Sequence, residues 1–252
     1  MPSEVHVLLI SGGCLTPRHF QALATLLSSH GYTVSNPRLA SNSILPPANS
    51  FQIDRDLVRD IVKEKTDAGK EIIVVMHSYG GLVGTDAMTG MGVKERKARG
   101  QSGGVKWLAY MAALMPVIGE RIIDIRKLEE GFVEDHTHTH SFVTDLVLFP
   151  KNPAPGFYHD LTDQEQKMWT EELTGFSHDA QRKNCQYEAW REIDVAYLLC
   201  EQDRAVPPEV QKTMIDRVRG FGIDVQETRC NSSHCPFLSQ PETVVAWINK
   251  LR

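Results

Sequence analysis

The sequence is short of long apolar stretches and of positive charge. None of its apolar runs approaches the roughly 20 residues that a membrane-spanning helix needs. The N-terminus has neither the basic start nor the longer apolar stretch of a signal peptide. A net charge of −5 gives no electrostatic basis for binding nucleic acid or an anionic membrane surface. We therefore expect a cytoplasmic protein without nucleic-acid or membrane partners, and the sequence leaves open whether it forms a homodimer.

Cysteine is scarce, and its spacing follows no known framework. The number is odd and no pair is spaced as in a zinc site: Cys14, Cys185, Cys200, Cys230 and Cys235. Reduced thiols in a reducing compartment are therefore expected. The sequence also lacks internal repeats and low-complexity linkers. With 252 residues, 41% of them hydrophobic, it predicts one large domain or a core with an inserted subdomain.

Short apolar runs alternate with helical patterns along most of the chain. The strongest runs are 5–10, 71–77, 105–114 and 194–201, and weaker ones are 32–38 and 224–230. Helical patterns occupy 18–31, 54–70, 207–222 and 241–252. Apolar strands that alternate with helices are typical of a parallel sheet that is covered on both faces. The sequence therefore predicts an α/β fold, with a mostly parallel sheet of about six strands.

One long interval breaks this alternation. Residues 117–192 are 76 residues between two predicted sheet strands, too long for a crossover helix with its loops. They hold nine of the 19 aromatic residues, Phe157, Tyr158 and Trp169 among them. We predict an inserted cap at 117–192 on a core formed by 1–116 and 193–252. The aromatic residues fit an apolar lid over a pocket, in which those three contact substrate, and equally the core of a small subdomain.

A serine in a glycine-rich turn is the strongest functional signal. The stretch VVMHSYGG, 74–81, ends an apolar run with Ser78 and continues with two glycines. A serine hydroxyl needs a base, a group that orients the base, and donors for the oxyanion that forms. A sharp strand-to-helix turn would lift Ser78 into the crevice at the strand's carboxyl end. Ser78 is therefore our candidate nucleophile.

The residues that such a serine needs follow in the expected order. Asp203 comes just after the run that ends near residue 201, and His234 just after the run that ends at residue 230. The order serine, acid, histidine is that of the α/β-hydrolase type of triad. Asp203 would orient His234, and His234 would act as the base.

Two backbone N–H groups are expected to stabilise the oxyanion. One belongs to Tyr79, directly after the nucleophile. The other is expected in the loop SGGC after the first strand, where Gly13 is our first choice and Cys14 the second. Cys14 also flanks the predicted site and is a candidate for substrate contact. A catalytic role for the Cys14 thiol is not indicated, because it would need a base of its own.

With these residues in this order, the sequence resembles the α/β-hydrolases. It is similar to small esterases of the group that includes plant methylesterases and hydroxynitrile lyases, and most of all to fungal hydrolases with HSYGG around the serine. The segments ISGGCLTP, FYHDLTDQE, YLLCEQDRAVPP and SSHCPFLSQPE carry the likeness over nearly the whole chain. The resemblance implies the α/β-hydrolase fold with a cap, the triad and donors named above, and no metal or cofactor. Met76 and Ser11 depart from it, since many relatives have glycine and histidine there.

We assign no catalytic role to two other histidine patterns. His136, His138 and His140 in HTHTH would share one face of an extended segment, a spacing that could hold a metal ion. A solvated hairpin in the cap is the preferred interpretation. His77 lies beside the nucleophile, but adjacent residues on a turn point apart, so we interpret it as structural.

These observations support three functions. The leading one is cleavage of a carboxylic ester or lactone of a small apolar or aromatic substrate, such as a secondary metabolite, through an acyl-enzyme. The second is a lyase, cyclase or transacylase that uses His234 as its base on the same scaffold. The third is a ligand-binding receptor that retains the triad, although a binding protein has no need of all three members.

Overall fold

The computed structural model describes residues 5–128, 140–144 and 146–252, and at 140–144 the backbone alone. In chain order the strands are β1 (His6–Ile10), β2 (Thr33–Ser35), β3 (Glu71–His77), β4 (Gly104–Met111), β5 (His140–Thr144), β6 (Val147–Pro150), β7 (Phe176–Ser177), β8 (Asp194–Cys200) and β9 (Val225–Cys230). The helices are α1 (Gln21–Ser29), α2 (Ser50–Asp67), α3 (Gly80–Ala87), α4 (Val93–Ala98), α5 (Ile122–Arg126), α6 (Pro153–Phe157), α7 (Asp163–Glu171), α8 (His178–Arg182), α9 (Pro208–Gly220), α10 (Pro236–Ser239) and α11 (Pro241–Asn249). None of the helices in these ranges is both long and apolar enough to cross a membrane.

Six strands form one parallel sheet in the order β2-β1-β3-β4-β8-β9. The apolar runs predicted from the sequence are these six strands, so the predicted α/β sheet is confirmed. From β1 the chain first adds β2 on one side and then β3 on the other. This reversal leaves a crevice at the carboxyl ends of β1 and β3, where open α/β sheets commonly bind ligands.

Helices cover both faces of the sheet. Along β1 the side chains alternate, so that Leu8 and Ile10 pack on one face and Val7 and Leu9 on the other. Helices α2, α3 and α9 pack on the first face, and α1 and α11 on the second. Burial on both faces explains why the strands are apolar throughout.

The strand β4 ends earlier than the apolar run at 105–114 suggests. The chain leaves the sheet after Met111, and Ala112 has a φ of 47°. The turn brings the Leu114 N–H within 3.1 Å of the Ser78 carbonyl oxygen, to which it donates a hydrogen bond. Residues 112–114 are apolar because they are buried, although they lie beyond the end of the strand.

The interval between β4 and β8 contains α5 to α8 and a second sheet. In that sheet β5, β6 and β7 are antiparallel. The Ser177 N–H donates to the Ser41 carbonyl at 2.9 Å, and the Thr174 N–H donates to the Cys14 carbonyl at 2.9 Å. The end of this interval is thus fixed to core loops next to Ser78. The boundaries 117 and 192 enclose all these elements, and the division into a core and a separate cap stays a prediction.

Candidate active site

Ser78 lies at the sharp turn from β3 into α3. Its φ is 51°, in the left-handed region that costs a residue with a side chain roughly 1–2 kcal/mol. Its carbonyl oxygen accepts hydrogen bonds from the N–H groups of Gly81 at 3.0 Å and Leu114 at 3.1 Å. A strained turn of this kind, held by its surroundings, presents the serine side chain at the carboxyl end of the sheet.

Glycines around Ser78 allow three backbone segments to meet. A Cβ atom on Gly80 would collide with the carbonyl oxygen of Ile10, and one on Gly81 with that of Leu114. A Cβ atom on Gly12 would lie 2.8 Å from the Cβ of Ser78. The close approach of β1, the turn and the loop after β4 is the physical reason for the glycines in this part of the sequence.

His234 and Asp203 form a buried pair beyond the ends of β9 and β8. The Nδ1 atom of His234 lies 2.8 Å from Oδ2 of Asp203, and the two side chains are 4% and 0% exposed. An ionised carboxylate only accepts hydrogen bonds, so Nδ1 carries a proton. The lone pair of the neutral ring is then on Nε2, as a general base for Ser78 requires.

Further donors fix the Asp203 carboxylate. Oδ1 accepts from the N–H groups of Ala205 at 2.8 Å and Val206 at 3.0 Å. The amide of Gln211, a fully buried side chain on α9, lies 3.2 Å from Oδ2. These bonds leave the carboxylate little freedom to rotate, so the imidazole of His234 is held in one orientation.

His77 supports the loop that carries the predicted base. Its Nε2 donates to the carbonyl oxygen of His234 at 2.9 Å. Burial holds the pKa of His77 well below its ordinary value, so the ring is neutral at physiological pH. Its Nδ1 is buried and has no hydrogen-bond partner among the described residues. His77 thus positions the backbone of His234.

The amides predicted for the oxyanion differ in whether they already have a hydrogen-bond acceptor. The Cys14 N–H already donates to the Asn42 side-chain oxygen at 2.9 Å. For Gly13 and Tyr79 the described residues supply no acceptor to the backbone N–H. These two amides are therefore available to an oxyanion, and Cys14, the second choice from the sequence, is already occupied.

One cavity of about 280 Å³ brings these groups together. Its wall includes Ser78, His234, Gly13 and Tyr79. Asp203 lies behind His234 and is buried. The arrangement places a serine hydroxyl, an imidazole with a buried carboxylate partner and two amides without an acceptor among the described residues around one space. Acyl transfer through serine is the chemistry that this set of groups can perform.

Of the four residues predicted to contact substrate, the structure places two in the cavity wall. Cys14 and Phe157 line it, and the Phe157 ring centroid is 5.3 Å from that of His234. Tyr158 and Trp169 lie elsewhere. Tyr158 is fully buried beneath Phe157, and Trp169 packs against His19 at 5.0 Å between ring centroids. Phe157 thus faces the cavity as the lid interpretation expects, while Tyr158 and Trp169 pack with the hydrophobic core on the second face of the main sheet and not in a separate subdomain core.

The sequence model of the alpha/beta hydrolase family matches residues 7–247. The chain belongs to the alpha/beta hydrolase family. An alpha/beta hydrolase of Aspergillus novofumigatus, nvfD, is 28% identical to this hydrolase over 96% of this chain and 94% of the relative. Polyneuridine aldehyde esterase of Rauvolfia serpentina is 23% identical over 96% of this chain and 93% of the relative.

Solved structures share the fold of this hydrolase. A crystal structure of polyneuridine aldehyde esterase matches this hydrolase with a TM-score of 0.76 and 20% identity, over 98% of this chain and 99% of that one. The likeness shows a shared fold over the full length. The predicted family and the α/β-hydrolase fold are confirmed.

Met76 lies two positions before Ser78, where the resemblance noted from the sequence predicts glycine. The structure accommodates its side chain against the helix that follows. A Cβ atom on Gly84 of α3 would collide with the Met76 sulfur. The missing side chain at Gly84 thus provides the room for Met76, while Gly80 and Gly81 keep the turn close to its neighbours.

The cysteines of this hydrolase are all buried thiols without a disulfide. Burial raises the pKa of the Cys14 thiol to about 12 and that of Cys235 well above its ordinary value. Both thiols are therefore neutral at physiological pH and are poor nucleophiles. Neither competes with Ser78, although Cys14 lines the same cavity.

The three histidines that the sequence offers as an alternative metal site lie wholly or partly outside the described residues. His136 and His138 lie outside the described residues, and so does the side chain of His140. Within the described ranges, no group of three or more histidine, cysteine, aspartate or glutamate side chains is placed to hold a metal ion. The solvated hairpin stays a prediction.

Sequence reasoning missed three side chains of the site: Gln211, Asn42 and Asp54. Each is fully buried and polar. For Asp54 a signal existed, because it falls in the buried stripe of α2 between Phe51 and Val58. A carboxylate in an apolar stripe needs partners inside the protein. Asn42 binds backbone groups of the loop after β1, and Gln211 binds backbone groups of the segment after β8 and of its last residue. No local sequence pattern predicts such contacts.

Proposed function

We propose that this hydrolase cleaves a carboxylic ester or lactone of a small apolar or aromatic substrate through an acyl-enzyme on Ser78. The observation that carries the proposal is the buried His234–Asp203 pair, at 2.8 Å, with His234 in the wall of the cavity that also holds Ser78. A buried imidazole oriented by a carboxylate beside a strained serine is what serine acyl transfer requires.

The proposed reaction begins with attack by Ser78 Oγ on the substrate carbonyl carbon. Nε2 of His234 takes the hydroxyl proton, and Asp203 stabilises the imidazolium that forms. The negative oxygen of the tetrahedral intermediate accepts hydrogen bonds from the Gly13 and Tyr79 N–H groups. When the intermediate collapses, His234 gives its proton to the departing alcohol oxygen. A water molecule then attacks the acyl-enzyme by the same route and releases the acid.

The cavity supports a substrate with an apolar body. Its wall is mainly apolar beyond the reacting groups and also contains polar side chains. The apolar members include Leu15, Leu114, Ile122, Phe157, Phe176 and Val206, and the polar ones are Arg126, Asn152, Gln181 and Arg204. We propose that the apolar wall takes the acyl or ring portion, since apolar contacts select by shape. The relative named polyneuridine aldehyde esterase supports ester chemistry.

A panel of p-nitrophenyl esters and small lactones, quenched in acid during turnover, tests the proposal. We expect the mass of the acyl group on the peptide that contains Ser78. A lyase or cyclase that uses His234 as its base would turn over its substrate without that adduct. Acyl mass on another residue, or steady turnover of an ester after a fluorophosphonate has fully blocked Ser78, would contradict the acyl-enzyme mechanism.

We expect Phe157→Ala to change which substrates are preferred. Phe157 is half-buried, lines the cavity and contacts the His234 ring. Losing an apolar wall of this size removes about 1.5–3 kcal/mol of contact, or about 10- to 100-fold, from a substrate that reaches it. The quantity to measure is the ratio of kcat/KM for a bulky aromatic ester to kcat/KM for p-nitrophenyl acetate, and it should fall.

Trp169→Ala is the matched control for this prediction. Trp169 belongs to the same interval of the chain but packs against His19 outside the cavity. Its loss should lower stability and leave the ratio of the two kcat/KM values unchanged. If Phe157→Ala lowers kcat/KM by the same factor for both substrates, Phe157 supports the fold and does not select the substrate.

A further inference from the structure

Asn42 holds the loop that carries the Gly13 amide. Its side chain is fully buried, and its oxygen accepts from the Cys14 N–H at 2.9 Å. Its NH₂ group donates to the Gly12 carbonyl at 2.9 Å and to the Ser11 hydroxyl at 3.3 Å. Both neighbours of Gly13 are therefore fixed by one side chain. Cys14 has a φ of 66°, and its bond to Asn42 helps to hold that unfavourable backbone conformation.

Asp54 holds Tyr79, which carries the other predicted donor. The Tyr79 hydroxyl donates to Oδ2 of Asp54 at 2.9 Å. Oδ1 accepts from the N–H groups of Ala40 at 2.5 Å and Ser41 at 3.3 Å. The carboxylate is fully buried, and burial raises its pKa although these donors oppose the shift. Desolvating a carboxylate is unfavourable, so a buried carboxylate is expected only where hydrogen bonds compensate for the loss of water, as they do at Asp54.

The two sets of bonds meet in the short segment 40–42. Asp54 fixes the backbone of Ala40 and Ser41, and the next residue, Asn42, fixes both sides of Gly13. A continuous series of buried hydrogen bonds thus runs from Tyr79 to the loop after β1. Its two ends lie at Tyr79 and beside Gly13, two residues that line the cavity and whose amide N–H groups have no acceptor among the described residues.

We propose that Asn42 and Asp54 are positioning residues that set the relative placement of the Gly13 and Tyr79 amides in the oxyanion hole. The inference rests on the proposed acyl-enzyme function. Hydrogen bonds to an oxyanion stabilise the transition state only when both donors are held at the right distance beforehand. Asn42 and Asp54 touch neither substrate nor reacting atoms, and they act through the backbone of the donors.

Tyr79→Phe is the sharpest test, because it removes one oxygen and leaves the Tyr79 amide in place. Tyr110→Phe is the matched control. Tyr110 is equally buried, and its hydroxyl bonds to the Thr85 side chain at 2.7 Å, away from both donors. Asn42→Ala tests the other end of the series. Thermal unfolding of each variant shows how much stability is lost.

We expect Tyr79→Phe and Asn42→Ala to lower kcat for p-nitrophenyl acetate by about 10- to 100-fold, because displaced donors lose most of their effect on the oxyanion. KM should change by about two-fold or less. Labelling of Ser78 by a fluorophosphonate should slow by the same factor, since its phosphoryl oxygen occupies the same hole. Tyr110→Phe should lower the unfolding temperature comparably and leave both rates near wild type.

Two results would overturn the proposal in distinguishable ways. If wild type labels at Ser78 and hydrolyses esters, while Tyr79→Phe loses no more kcat than Tyr110→Phe, the positioning role is wrong and the proposed function stands. If wild type neither labels nor turns over any ester, the proposed function fails and the positioning role fails with it. Should Asn42→Ala not fold, the comparison of the two tyrosine variants decides alone.

Discussion

Ser78→Ala should lower kcat for esters by about 10³-fold or more while the fold survives. The substitution removes only the hydroxyl oxygen. Ser78 already has a φ of 51°, and alanine is no bulkier in that conformation. The oxyanion amides and the cavity wall remain, which accounts for a small residual rate. The measurement is kcat on the best ester of the panel, together with the unfolding temperature of both proteins.

Ser50→Ala is a suitable control for Ser78→Ala. Ser50 is fully buried, and its hydroxyl bonds to that of Ser177 at 2.7 Å, outside the cavity. Its loss should cost stability with little change in kcat. Ester turnover that survives unchanged in Ser78→Ala would remove the acyl-enzyme mechanism, because Ser78 is the proposed nucleophile.

Asp203→Asn should cost about 10²- to 10⁴-fold in kcat. The carboxylate at 2.8 Å from Nδ1 keeps the His234 proton on that nitrogen, and it stabilises the imidazolium during reaction. An amide in its place removes the negative charge and can present N–H to Nδ1, which favours the wrong tautomer. The kcat of the variant, measured across pH 6 to 9 as roughly the useful range for a histidine base, checks this expectation.

Asp194→Asn is the control for the acid. Asp194 opens β8, is exposed, and pairs with Lys94 at 2.8 Å. A surface ion pair contributes about 1 kcal/mol at most, so activity should be unchanged. If Asp194→Asn is damaging and Asp203→Asn is silent, the carboxylate partner of His234 has been assigned wrongly.

The sequence was sufficient to predict the parallel sheet and the order in which the catalytic candidates follow its strands. Strands buried on both faces are continuous apolar runs, and the carboxyl ends of parallel strands meet at one edge. Ser78, Asp203 and His234 each lie within a few residues of such an end, so their position in the sequence nearly determines their position in space. Helix α2 was recognised for a similar reason, through its buried stripe, although it begins at Ser50 and ends at Asp67 and not at the predicted 54 and 70.

The sequence was insufficient where side chains bind backbone groups across loops. Asn42 contacts residues 28 to 31 positions earlier, and its segment shows no periodicity. The aromatic residues of 117–192 are a second example. Phe157 lines the cavity while Tyr158, its neighbour, is buried behind it. Adjacent residues point in different directions, and only the packed structure decides which one reaches the substrate.

The most direct test of the central claim is the site and rate of labelling by a fluorophosphonate, read by peptide mass spectrometry. The structure predicts one adduct, on Ser78, formed rapidly in wild type. In His234→Ala the rate should fall by about 10³-fold or more, because no base remains to take the hydroxyl proton. An adduct on another residue, or labelling of Ser78 at the wild-type rate in His234→Ala, would contradict a triad built from these residues.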